Sequence, residues 1–227
     1  MDAYDLLKLI LMVGGTLLVF GIIGVGAVYL ALRLLPVIIN RRLDKLAQTA
    51  KALGLEVDRT AGHPLIKPLV GVYGKHNVEV LAFRQPAGEH SHINLVSCEV
   101  FFAEPIGFSF LIKSRPRFFQ EVISVFTGPD PEIGVPSFDN AYHVETKSIA
   151  DLRKMLLFEP DNGMRPCILT DIFLIQKRSR LIEATDTSVK VTVEGEVHEA
   201  ERIKKGLNDA IFLAERFRAA REATRMA

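Results

Sequence analysis

The chain has 227 residues, with 28 basic and 27 acidic side chains, a net charge of +1 and a mean hydropathy of +0.20. So even a balance excludes the basic field of a nucleic-acid binder. Two cysteines, Cys98 and Cys167, are too few for a disulfide framework, and neither has a second cysteine at metal-ligand spacing.

The run Leu9 to Leu32 carries no charge between Lys8 and Arg33. As a helix it reaches about 36 Å, enough to cross a hydrocarbon core of about 30 Å, so a transmembrane span is expected over 9–35 after a short N-terminus, 1–8. Asp2, Asp5 and Lys8 precede it, whereas Arg33, Arg41, Arg42, Lys45 and Lys51 follow it against Asp44 alone. By the positive-inside rule the N-terminus lies outside and the remainder in the cytoplasm. A cleaved signal peptide ending near Val25-Gly26-Ala27 is the rival reading, but the start lacks a basic region and the apolar run is too long. The span's glycines show no GxxxG spacing and its interior holds no ionisable group, so it reads as an anchor with a possible assembly surface.

After Pro36 a second pattern begins. Ile38, Leu43, Leu46, Ala50 and Leu53 trace one face of a juxtamembrane amphipathic helix over 36–54, with Gly54 as its left-handed stop. Arg41, Arg42 and Lys45 on its other side are candidate contacts for anionic headgroups. From Leu55 the period shifts toward 2. Leu69–Tyr73 and Val78–Phe83 form a hairpin around Gly74–Asn77, and Ile93–Phe102 and Phe108–Lys113 add two more strands, which together predict an antiparallel meander. Phe118 to Phe126 fits a short helix or a strand. The stretch Thr127–Ser137, with three prolines and two glycines, is a loop and a potential seam in an otherwise single domain spanning 55–221.

Phe138–Glu145 reads as a short structured lead into the second half. Ser148 caps a helix from Ile149 to Phe158, and Arg165–Ile175 supplies another. Two strands, Arg180–Thr185 and Ser188–Val193, flank Asp186-Thr187. A long amphipathic helix from Val197 to about Arg221 places Ile203, Leu207, Ile211, Ala214 and Phe217 on one side, and a short tail, 222–227, follows. The expected class is α+β: one transmembrane helix, an antiparallel sheet with flanking helices, and a long C-terminal helix. The FDxxYxV run Phe138–Val144, followed by a Leu-rich helix, a polar break, two strands and a long helix, resembles a family of uncharacterised bacterial membrane-associated proteins. Gly71-x-Tyr73-Gly74 and the following Val-x-Val share the likeness, which runs from Leu53 to about Ala219. The break Glu159–Pro166 is longer than that family's pattern. The resemblance implies an architecture and a membrane setting, and it brings no site.

Candidate chemistry is sparse. His90-Ser91-His92, after Glu89, offers two imidazoles at a strand entrance and is the candidate metal pair, but no HExxH or second HxH completes it. Solvated loop histidines are the plainer reading. Asp139 and His143 stand four apart beside Tyr142, which on a helix brings an acid to a base; the plainer reading buries Phe138 and Tyr142 and has Asp139 cap a turn. Cys98 and Cys167 are expected as buried small side chains. Lys177-Arg178-Ser179-Arg180, with Arg115 and Arg117, forms either a basic patch toward the inner leaflet or a solvated loop. One ring each of Phe101-Phe102 and Phe118-Phe119 is expected in the core. No GxSxG, Walker A or GxGxxG is present, and no catalytic residue or cofactor is assigned. The resulting expectation is a non-catalytic interaction or assembly module held at the bilayer, with a protein partner or membrane complex and no nucleic acid. The alternatives are a membrane-tethered metal-dependent hydrolase using His90 and His92, and a sensor of anionic lipid surfaces.

Overall fold

A computed structural model describes residues 3–61, 67–86, 91–114, 132–159 and 167–226, for 3–22, 31 and 224–226 the backbone alone. The chain divides into two compact units, Met1–Asp44 and Lys45–Ala227. Helix α1 runs from Ala3 to Leu53 without interruption. It passes through Pro36, where the sequence suggested a second helix. The ring deprives the Leu32 carbonyl of its usual N–H partner, and the apolar residues on both sides hold the helical register. From Ile23 onward α1 includes a window of mean hydropathy 1.8 with none of it buried, long and apolar enough to cross a membrane. Its last turns change character: Leu46, Ala50 and Leu53 are buried, on the predicted face. Gly54 stops it at φ 69°, with Leu55 N–H donating to Ala50 O at 2.8 Å and Gly54 N–H to Lys51 O at 3.3 Å, the paired bonds of a Schellman motif.

Beyond Gly54 the described strands are β1 (Glu56–Val57), β2 (Leu69–Tyr73), β3 (His76–Pro86), β4 (His92–Phe101), β5 (Phe110–Ser114), β6 (Tyr142–Thr146), β7 (Leu181–Thr185) and β8 (Ser188–Glu194). They form an antiparallel sheet in the order β1-β2-β3-β4-β8-β7-β5-β6. The class is therefore α+β with an antiparallel sheet; β2 to β4 are the first three strands of the expected meander, and β1 is a short strand added beside β2. β5 does not continue it, because the β7–β8 hairpin sits between β4 and β5. Val189, Val191 and Val193 of β8 supply the apolar face that β4 needs as a neighbour, whereas β5 is only five residues long. The β2–β3 turn is tighter than expected: Tyr73 pairs with His76, leaving Gly74-Lys75 as the loop, with Gly74 at φ 66°.

Pleating sorts every strand into two faces. Leu69, Val80, Cys98, Val191 and Ile182 are successive partners across five strands, each at most 1% exposed. Each apolar side chain so buried is worth about 1.5–3 kcal/mol. On that face lies α5 (Ala200–Met226), whose Ile203, Leu207, Ala214 and Phe217 are buried as predicted while Ile211 is half-buried. It comes very close: a Cβ built on Gly206 meets Cys98 Sγ at 2.9 Å. Phe217 stacks on Phe110 of β5 at 5.8 Å.

Three shorter helices complete this layer, α2 (Pro136–Ala141), α3 (Ile149–Leu156) and α4 (Ile168–Gln176). Ser148 caps α3 as expected, its Oγ accepting from Asp151 N–H at 3.4 Å and donating to Asp151 Oδ2 at 2.5 Å. A buried ion pair, Arg216 Nε to Asp171 Oδ2 at 2.7 Å, ties α5 to α4. Phe138 stacks on Tyr142 at 4.5 Å, and Phe173 of α4 meets both rings edge-on. Of the potential seam, 127–131 lies outside the described residues. Its remainder, with Ile133 fully buried, leads into α2.

Candidate functional site

The opposite face of the sheet carries none of α2 to α5, and there the register assembles a row of charge. Glu79, Glu99, Lys190, Glu183, Lys113 and His143 are successive partners across β3, β4, β8, β7, β5 and β6. Lys190 Nζ lies 3.0 Å from Glu99 Oε2, and Lys113 Nζ lies 3.6 Å from Glu183 Oε2. Burial alone works against the Lys190 ammonium, but its hydrogen bond to Glu99 and the charges of Glu99, Glu183 and Glu79 outweigh it and hold the group protonated above its ordinary range. Glu99 also accepts from Ser188 Oγ at 2.7 Å. The signs alternate from Glu99 to Lys113 and then fail at the other end, where Glu79 stands beside Glu99. No described cation lies within ion-pair distance of Glu79. Burial and then the charge of Glu99 raise its carboxyl above the ordinary value of 4.5.

Next to that pair, Leu81 of β3 faces Ser97 of β4. Ser97 is 6% exposed, and its Oγ has no hydrogen-bond partner. Glu79, Glu99, Ser97 and Leu81 thus form one square of the face. Val72 at 59% exposure and Phe101 at 37% rise on one side of it. Glu56, exposed and opposite Val70, adds a further negative charge at this corner. The row was missed from sequence because each member is one polar residue in an alternating strand, and only the pairing register lines them up.

The residues singled out by sequence lie elsewhere. His92 opens β4 opposite Pro86 and is exposed, while His90 and Glu89 lie outside the described residues. Among the described residues no three His, Cys, Asp or Glu side chains converge as a metal site. Asp139 and His143 do not meet on a helix. Tyr142, Val144 and Thr146 have the alternation that a strand needs, so α2 ends at Ala141 and His143 belongs to β6. Asp139 instead accepts from Ile133 N–H at 2.9 Å and Gly134 N–H at 3.0 Å, and His143 contacts Glu145 at 2.8 Å. Phe138 and Tyr142 are core, as the plainer reading had it.

Both cysteines are free thiols. Cys98 is sealed under α5, and burial with the Asp209 charge pushes its thiol up to about 12, which leaves it unreactive. Cys167 stands at the start of α4, its Sγ 3.5 Å from Thr170 Oγ1. In the Lys177–Arg180 run, Arg178 binds Asp209 through two bonds of 3.0 and 2.5 Å and Arg180 binds Glu194 at 2.6 Å, so two of its three cations already have carboxylates. Arg115, Arg117 and Phe118-Phe119 lie outside the described residues. Neither Phe101 nor Phe102 is fully buried: Phe102 is half-buried and Phe101 lies on the charged face, so the expected core ring of this pair is absent. Arg41, Arg42 and Lys45 are exposed on α1, and upstream the Arg33 guanidinium lies 5.3 Å from the Tyr29 ring centre.

No protein-family model matches the chain, and no curated protein is similar to it. Among solved structures the chain is similar to the crystal structure of the mycobacterial trehalose monomycolate transport factor A, TtfA, with a TM-score of 0.41 and 9% identity over 80% of this chain and 93% of that one.

Proposed function

We propose that the chain is a single-pass membrane protein whose cytoplasmic α+β domain is a non-catalytic interaction module, an accessory subunit of a membrane complex. In this reading the span covers 9–35, the juxtamembrane helix 36–54 and the domain 55–221, with the N-terminus outside the inner membrane of a bacterium. The observation that carries it is the pairing of an unburied apolar helix with a domain whose sheet is packed by α2 to α5 on one face and presents half-buried charge and exposed apolar residues on the other. Exposed apolar side chains beside a patterned polar row are the ordinary composition of a partner surface.

The test is extraction of the full-length protein from its native membrane in mild detergent, followed by sizing and mass spectrometry. A partner at constant stoichiometry is the expected result. Purification alone, with no partner found by crosslinking, overturns the reading. Protease added to inverted membrane vesicles should remove the domain, whereas protease added to intact spheroplasts should spare it.

Exposed Arg41, Arg42 and Lys45 favour a second, compatible role in holding anionic headgroups. Each cation near such a surface contributes about 1 kcal/mol. Replacing all three with Gln should weaken binding of the juxtamembrane segment to vesicles containing phosphatidylglycerol and leave neutral vesicles unaffected.

A further inference from the structure

Resting on the interaction-module reading, we propose that the sheet face opposite α2 to α5 is the docking surface for a protein partner that inserts an arginine or lysine side chain into the square formed by Glu79, Glu99, Ser97 and Leu81. Apolar residues beside that cation lie on Val72 and Phe101.

Three independent features specify this occupant. The first is charge. The row pairs every carboxylate from Glu99 to Glu183 with a lysine and leaves Glu79 without one, beside a second carboxylate and near Glu56. The missing member of the alternation is a cation. The second is the buried hydroxyl of Ser97, without a hydrogen-bond partner on the same face. An orphaned buried polar atom costs about 1–3 kcal/mol, and a donor entering the square relieves it. A guanidinium has five N–H donors in a planar fork and can serve Glu79 and the Ser97 oxygen together. The third is the apolar border. Val72 and Phe101 are exposed large side chains on the same row of the face, positioned to exclude water from the ion pair. A free metal ion does not need that border, and an acidic or neutral partner leaves Glu79 uncompensated.

The test places the photo-crosslinker p-benzoylphenylalanine at Val72 in the full-length protein in its native membrane, with a second copy of the experiment at Phe212, an exposed residue of α5 on the opposite layer. The expected result is a protein adduct from Val72 whose crosslinked peptide contains an arginine or lysine next to apolar residues. Glu79→Lys should lower that adduct at least tenfold, and changing the partner's cation to Glu should restore it in the Glu79→Lys background. Thermal melting establishes that Glu79→Lys is folded; if it is not, Glu79→Gln is used and should lower the adduct severalfold. The proposal is overturned if the Val72 adduct is insensitive to these variants, if its peptide has no basic residue, or if Val72 reacts only with lipid or with a second copy of this chain. Adducts from Phe212 without any from Val72 remove this surface and leave the interaction module standing. Absence of an adduct from Val72 removes this surface, and if the protein also purifies alone from its membrane the interaction module falls with it.

Discussion

Two residues carry most of the individual consequences. Gly206 lets α5 approach the sheet so closely that a methyl group there meets Cys98 Sγ at 2.9 Å. Alanine favours an isolated helix by about 1 kcal/mol over glycine, but overpacking a buried contact costs about 1–3 kcal/mol. Gly206→Ala should therefore lower the thermal midpoint of the domain. The double variant with Cys98→Ala should be more stable than the sum of the two single changes allows, because the clash disappears with the sulfur. Glu79 makes a different prediction. Burial and then Glu99 raise its carboxyl, Lys190 opposes them, and Asp58 adds to the rise. A carboxyl with a raised folded value contributes stability that is complete below the unfolded value of 4.5 and is lost as the pH climbs through the folded one. At neutral pH the charge is thus a cost to the free protein. Glu79→Gln should raise the unfolding free energy from urea denaturation at pH 7 by less than about 1 kcal/mol, given how much solvent still reaches the group, and the difference should vanish below about pH 4.5.

At the scale of elements, the helical layer is held by ion pairs as well as by apolar contact. Arg216 of α5 and Asp171 of α4 have side chains 9% and 5% exposed, and Arg178, just past α4, reaches Asp209 of α5. Asp171→Ala leaves a buried guanidinium without this carboxylate and should cost about 3–5 kcal/mol by chemical denaturation. Asp171→Leu combined with Arg216→Met should cost clearly less. Elements whose cause is local were legible: the Gly54 stop, the Ser148 cap, the β7–β8 hairpin at Asp186-Thr187 and the buried stripe of α5 all depend on residues within a turn or two of each other. β6 was not, because its five residues hold only three inward positions and follow a helix directly. Nor was the insertion of β8 beside β4, which depends on contacts between residues about ninety positions apart. The charged row belongs to the same category: Glu79, Glu99 and Lys190 become neighbours only through that pairing, whereas His90-Ser91-His92 drew attention because its residues adjoin in sequence.

For the whole molecule, the division into Met1–Asp44 and Lys45–Ala227 gives the most direct expectation. A chain starting at Lys45 keeps Leu46, Ala50 and Leu53, the buried end of α1, and should remain folded and stay in solution without detergent. The full chain should need detergent, as sedimentation of both in buffer will show. If the shorter chain precipitates or loses its cooperative melt, the apolar helix has a structural role beyond attachment.

The order of the strands also imposes a schedule. β4 is paired by its meander neighbour on one side as soon as it is made, but its other side waits for β8, about ninety residues further along. At the usual rate of synthesis, about 5–20 residues per second, that interval is roughly 5–18 s. Through it, a half-built sheet displays the backbone of β4 to every other nascent chain nearby, and the polar side chains of its outer face discourage a wrong neighbour.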